Sequence, residues 1–152
     1  AQRLLRRICS SCKEKYDVSD EELAAAKVTR KTKLKELKFT AETIENAKAG
    51  ATPEAAPYLS KLTIDSSIGD LAFFRGHGCD KCIGTGLKGR QGVYEVMAMT
   101  PSVRKTVMSN AGATEIKETA IADGMLTLRM DAWMKVMKGI TTMEQMIRET
   151  SA

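Results

Sequence analysis

At 152 residues, the chain is long enough for one domain or for two small units sharing an interface, and a chain of that size buries roughly 68–70% of its unfolded surface. Hydrophobic residues at 43% and charged residues at 28% exclude wholesale disorder, and no apolar run approaches the ~20 residues needed to cross a bilayer. The formal charge of +5 invites a nucleic-acid reading, but acids interleave with the bases (Asp20, Glu21, Glu22, Glu36, Glu42, Glu45) and aromatics are only 5%, which favours solvated helical surfaces over any specific nucleic-acid partner.

Residues 1–12 open on Ala-Gln-Arg-Leu-Leu-Arg-Arg-Ile, without an initiator Met or an apolar leader segment, and read as the tail of a basic amphipathic helix entered part-way. Residues 13–70 read as a charge-rich insert of surface helices with few large apolar side chains. Within it, Ser19 and Glu22 have capping-box spacing, Thr40 caps a second helix that Gly50 stops, and Thr52-Pro53 starts a short third that Pro57 closes.

Downstream, Val93-Tyr94-Glu95-Val96-Met97 predicts a short strand. Thr100-Pro101 opens a helix to about Asn110, and a second runs from about Thr114 to Asp123, where Gly124 stops it. Leu126, Met130, Trp133, Met134 and Met137 form an apolar stripe at helical period that ends at Gly139. Thr141 with Glu144 predicts a capping box for a last helix bearing Met143, Met146 and Ile147. Methionine-rich stripes can serve as pliable partner grooves, but unbranched Met packing the core of a small bundle is the simpler reading.

All four cysteines fall into two pairs, Cys9-Ser-Ser-Cys12 and Cys79-Asp-Lys-Cys82, with 66 residues between them. Each C-x₂-C can form a knuckle with both thiolates facing one metal, and two knuckles complete a tetrahedral S₄ set for structural Zn²⁺. Gly78, Gly84 and Gly86 flank the second pair and suit the turns a knuckle makes; the first pair has no such glycines. Disulfides need an oxidising compartment and a redox C-x-x-C normally occurs once, while an iron site would use the same ligands. His77 reads as an exposed turn residue. Zinc ribbons usually separate their pairs by about 15–20 residues; a longer loop is tolerable because closure entropy grows only logarithmically. Four thiolates leave no open position for a catalytic water, and no phosphate-binding loop, H-E-x-x-H or Ser-His-Asp arrangement is present, so no catalytic residues are assigned.

Locally, Cys79-Asp-Lys-Cys82-Ile-Gly84-Thr-Gly86 resembles the DnaJ-type chaperone zinc-finger repeat, a match that suits a stand-alone zinc-ribbon interaction module. A longer resemblance runs through both ends of the chain. Ala1-Gln2-Arg3-Leu4 to Arg7 with Cys9-x-x-Cys12, then Gly78-Cys79-x-x-Cys82-x-x-Thr85-Gly86-x-x-Gly89-Arg90-x-Gly92-x-Tyr94-Glu95, resemble the type IV pilus assembly and type II secretion ATPases. Gly124-Met125-x-Thr127-Leu128, Lys138-Gly139-Ile140-Thr141-Thr142 and Ile147-Arg148 follow in the same family's order, while 13–70 has no match in it.

The resemblance implies a bacterial hexameric motor, cytoplasmic and peripheral to the inner membrane. Such a motor hydrolyses ATP with Mg²⁺ through motifs upstream of Ala1 and works with inner-membrane platform proteins. It also implies that this region packs against the upstream ATPase core or a neighbouring subunit. Retraction motors of this kind generally lack the zinc site, so assembly is favoured. Arg90 either reaches a neighbouring subunit or pairs with Glu95 beside the knuckle, and the pairing is favoured. The expected architecture is α+β: a zinc-binding region over 1–99 with a short strand element and the helical insert 13–70, then a bundle of about four helices over 100–152.

Overall fold

The computed structural model describes residues 1–151. Among them are seven α-helices and two two-stranded antiparallel sheets. Strand β1 (Gln2–Ile8) pairs with β4 (Leu87–Tyr94), and β2 (Lys13–Tyr16) pairs with β3 (Phe73–Gly76). Between β2 and β3 lie α1 (Asp20–Ala25), α2 (Ala41–Ala49) and α3 (Ala56–Leu59); after β4 come α4 (Pro101–Met108), α5 (Ala113–Ala122), α6 (Leu128–Met137) and α7 (Met143–Thr150).

The N-terminal segment departs from expectation: Gln2–Ile8 is a strand, not a helix. Its register with β4 runs from Gln2 opposite Tyr94 to Arg6 opposite Arg90. The other edge is sealed by the corner between α6 and α7, where Ile8 N–H donates to Ile140 C=O at 2.9 Å. Arg6 N–H donates to Gln145 Oε1 at 3.0 Å, and the Thr141 hydroxyl donates to Arg6 C=O at 2.8 Å. Leu5 and Ile8 are both buried although three residues apart, a spacing that mimics a helix. They manage it on a strand because the register shifts between Arg6 and Ile8, and the α6–α7 corner closes over the end of β1.

The segment 13–70 is also more than a surface decoration. It leaves on β2, returns on β3, and is drawn closed where Leu34 N–H meets Ser66 C=O (2.9 Å) and Ile68 N–H meets Thr32 C=O (2.8 Å). Val18, Leu23, Leu34, Phe39, Ile44, Leu59, Leu62 and Ile68 are buried in one apolar cluster with Trp133, Met134, Met137, Met143 and Met146. The large apolar residues are sparse but spaced so that nearly all turn inward, which gives the segment a share in the main core.

Local chemistry sets the helix ends. Ser19 accepts from Glu22 N–H while Glu22 accepts from Ser19 N–H, a complete capping box. Thr40 accepts from Thr43 N–H and Thr100 from Val103 N–H. Three boundaries differ from expectation. Thr52 C=O accepts from Ala55 and Ala56 N–H, so the turn at Pro53 feeds α3 and Pro57 lies in its first turn instead of ending it. Helix α7 is capped by Thr142, which accepts from Gln145 N–H, because Thr141 is turned toward β1. The predicted strand 93–97 ends at Tyr94: Glu95 N–H reaches Ala1 C=O, and beyond it Val96 is 75% exposed with no partner strand. Helices α4 and α5 pack on each other, as do α6 and α7. The methionine stripe is core: Met130, Met134, Met137, Met143 and Met146 are all buried, most of them around Trp133.

Candidate metal centre

The two C-x₂-C turns come together at the base of both sheets. Cys9 and Cys12 follow β1 directly and precede β2; Cys79 and Cys82 follow β3 and precede β4. Both strand pairings must therefore form for the four sulfurs to meet. The second knuckle uses the left-handed region repeatedly, with φ of 56° at Ile83 and 73° at Gly84. The first turns without any positive φ; Cys12 N–H donates to Cys9 C=O at 3.3 Å, which explains why it needs no glycine.

Backbone bonds tie the knuckles together: Cys9 N–H donates to Gly86 C=O at 2.9 Å and His77 N–H to Cys12 C=O at 3.2 Å. Here Gly76 and Gly86 cross back to back. A Cβ on either would lie 2.2 Å from the other's carbonyl oxygen, so only glycine permits the approach.

The four sulfurs lie within 4.8 Å of one another and could hold a metal ion. Cys9 to Cys79 and Cys12 to Cys82 measure 3.8 Å, and Cys79 to Cys82 3.7 Å. A disulfide needs about 2.05 Å, whereas a tetrahedron with metal–sulfur bonds of about 2.3 Å has edges of about 3.8 Å. These three edges match the tetrahedron, and all six lie within 4.8 Å. Cys9, Cys12 and Cys82 are buried and Cys79 is partly so, and all four are free thiols. His77 is exposed and lies outside the cluster.

Ionisation is uneven across the set. Burial opposes the Cys82 thiolate, but N–H donors from Cys79 and Gly86, each at 3.2 Å, outweigh it and bring the group down to about 6. Burial and the neighbouring thiols push Cys12 up to about 12 despite the Gly78 backbone contact. Four sulfurs this close repel as thiolates, and a bound dication removes the conflict.

Glu95 and Arg90 are not partners. Arg90 is exposed opposite Arg6, while Glu95 Oε2 accepts from Leu128 N–H at 3.2 Å and lies 3.8 Å from Lys117 Nζ. The pairing reading fails because the two side chains serve different contacts: Glu95 caps the start of α6, and Arg90 faces outward on the ribbon. Beside Glu95, Asp131 is buried, accepts Tyr94 N–H at 2.9 Å and bonds Lys135, fastening β4 to α6. Asp131 was not foreseen, although a lone carboxylate inside the apolar run Met130–Met137 was the available signal.

The profile of the family described as Type II/IV secretion system protein matches residues 1–148. The chain belongs to that family. It is 34% identical to the type IV pilus assembly ATPase PilB of Acinetobacter baylyi, over 99% of this chain and 20% of that protein. Against PilB of Pseudomonas aeruginosa the identity is 32%, over 99% and 20%. Against type II secretion system protein E of the same organism it is 28%, over 99% and 22%. The chain thus spans about a fifth of the length of these relatives. These alignments run through 13–70, so that segment belongs to the family's shared architecture and is not an unmatched addition. The family match also outweighs the short chaperone-like repeat at Cys79–Gly86. None of the described helices is long and apolar enough to cross a membrane.

Proposed function

We propose that this chain is the zinc-bearing region of a longer motor ATPase that powers type IV pilus assembly. The single observation that carries the metal is the tetrahedral spacing of the four sulfurs, and Cys9, Cys12, Cys79 and Cys82 are its ligands. Zinc fits an all-thiolate closed set with no open coordination position, so its role is structural. The motor reading is supported by the match along nearly the whole chain to proteins called pilus assembly ATPases, at higher identity than to the secretion protein E relative.

In this reading ATP and Mg²⁺ bind outside these 152 residues, in an ATPase core that assembles as a cytoplasmic homohexamer. The present region packs against that core or the next subunit and passes domain movement to it. Platform proteins of the inner membrane are the further partners. Exposed Arg90, free of Glu95, is available to a neighbouring subunit. The test is twofold. Elemental analysis of the purified chain should give one zinc per molecule, and the reading frame upstream of Ala1 should encode a phosphate-binding loop. A frame without one removes the motor reading; a zinc-free protein removes the metal.

A further inference from the structure

Charge on this molecule is concentrated. Arg3, Arg6 and Arg7 on β1 and Lys88 and Arg90 on β4 lie on one ribbon with no carboxylate, which leaves 19 Lys and Arg elsewhere against 19 Asp and Glu. The ribbon therefore holds the entire formal excess of +5. None of the five forms an ion pair among the described residues.

Where the β1–β4 register shifts, Arg7 and Lys88 line a cleft of 240 Å³ with Ser10, Lys13, Thr52 and Glu54. Lys13 is the informative member. Its side chain is only 7% exposed, yet its one carboxylate partner, Glu54, stands 3.6 Å away and is 46% exposed. Charge-assisted contacts close to about 2.7–2.9 Å, so the pair is loose and the Lys13 ammonium keeps donors for a further acceptor. Thr52 adds a buried hydroxyl oxygen with no hydrogen-bond partner, while its N–H is held by Lys138 C=O.

We propose that this cleft is a binding site for a phosphate-class anion, held by Lys13, Arg7 and Lys88. Three cations against one carboxylate leave a local charge of +2, the complement of a phosphate close to its dianionic form. Three converging cationic groups with two hydroxyls beside them also suit the several equivalent oxygens of a phosphate better than the two of a carboxylate. The site is next to the tetracysteine set but uses none of its sulfurs, and it stands independently of the motor reading.

The test titrates inorganic phosphate and glycerol 3-phosphate calorimetrically into the full chain carrying its metal, at fixed ionic strength with chloride as the control. Lys88→Ala, an exposed position, and Arg7→Ala should each weaken binding about tenfold, and Lys13→Met should weaken it at least as much if its melting curve shows a folded protein. Arg90→Ala, on the ribbon but outside the cleft, should leave binding unchanged. A parallel arm uses vesicles containing phosphatidic acid. Binding of glycerol 3-phosphate that depends on Arg7 and Lys88 assigns a soluble phosphate ester; binding only to vesicles, with the same dependence, assigns a headgroup. Absence of both at millimolar ligand, or equal weakening by Arg90→Ala and Lys88→Ala, overturns the proposal.

Discussion

The tetracysteine base and the apolar core hold the chain by different physics. The base unites two knuckles and the ends of four strands, with glycines at the crossing and little apolar area to bury. The core runs from Leu5 through the 13–70 segment to Met146 and closes around Trp133, which is 1% exposed. One region depends on a small set of sulfur contacts; the other sums many dispersion and burial terms. Disturbing each in turn should separate them.

The largest effect belongs to the base. Metal binding is worth about 10–16 kcal/mol in zinc-finger peptides, so chelation or Cys79→Ser should lower the melting temperature more than any core substitution below. Hydrogen exchange should then accelerate in β1, β4 and the two knuckles while α6 and α7 keep their helicity; uniform loss of protection would show that base and core are one cooperative unit. Metal capture should also depend on pH. At pH 7 Cys12, raised to about 12, must release a proton, whereas Cys82, lowered to about 6, is mostly ionised already. Affinity should therefore climb with pH, and fall faster below about 6, where Cys82 takes up a proton too. Calorimetry in buffers of different ionisation enthalpy counts those protons.

Within the core, Trp133→Ala should cost about 3–5 kcal/mol, or very roughly 6–20 °C in melting temperature, with the metal content unchanged. A loss of zinc in that variant would erase the distinction between the regions. Asp131→Ala breaks the joint between β4 and α6, leaving Tyr94 N–H and Lys135 without their partner. About 1–3 kcal/mol is expected from denaturant unfolding, with faster exchange at Tyr94. The smallest effect is Thr142→Ala, which removes the cap of α7 for about 1 kcal/mol and should leave the base untouched.

Local signals were legible wherever one residue satisfies its own neighbourhood. Ser19, Thr40 and Thr100 cap as their spacing predicts, and the Met130–Met137 stripe turns inward. The cysteines were legible because thiolate geometry needs only pairs three residues apart. What sequence hid was tertiary. Leu5 and Ile8 carry helical spacing, and it is the pairing with remote β4, sealed on the other edge by the corner at Ile140–Gln145, that makes Gln2–Ile8 a strand. The core role of 13–70 was hidden because its apolar residues are scattered one or two per turn, and their partners lie a hundred residues away on α6 and α7. Arg90 and Glu95 looked like a pair from proximity in sequence, but Arg90 lies on β4 and Glu95 just past its end, where it turns to the start of α6.

The back-to-back crossing of Gly76 and Gly86 bears on how the base is assembled. Both glycines flank the second knuckle, and their backbone contact closes the stem that carries Cys79 and Cys82. The first knuckle is tied to that same stem, through Cys9 N–H on Gly86 C=O and the pairing of Lys13 with Gly76. Two residues with no side chains thus act as a template that gathers the four sulfurs through backbone contacts alone.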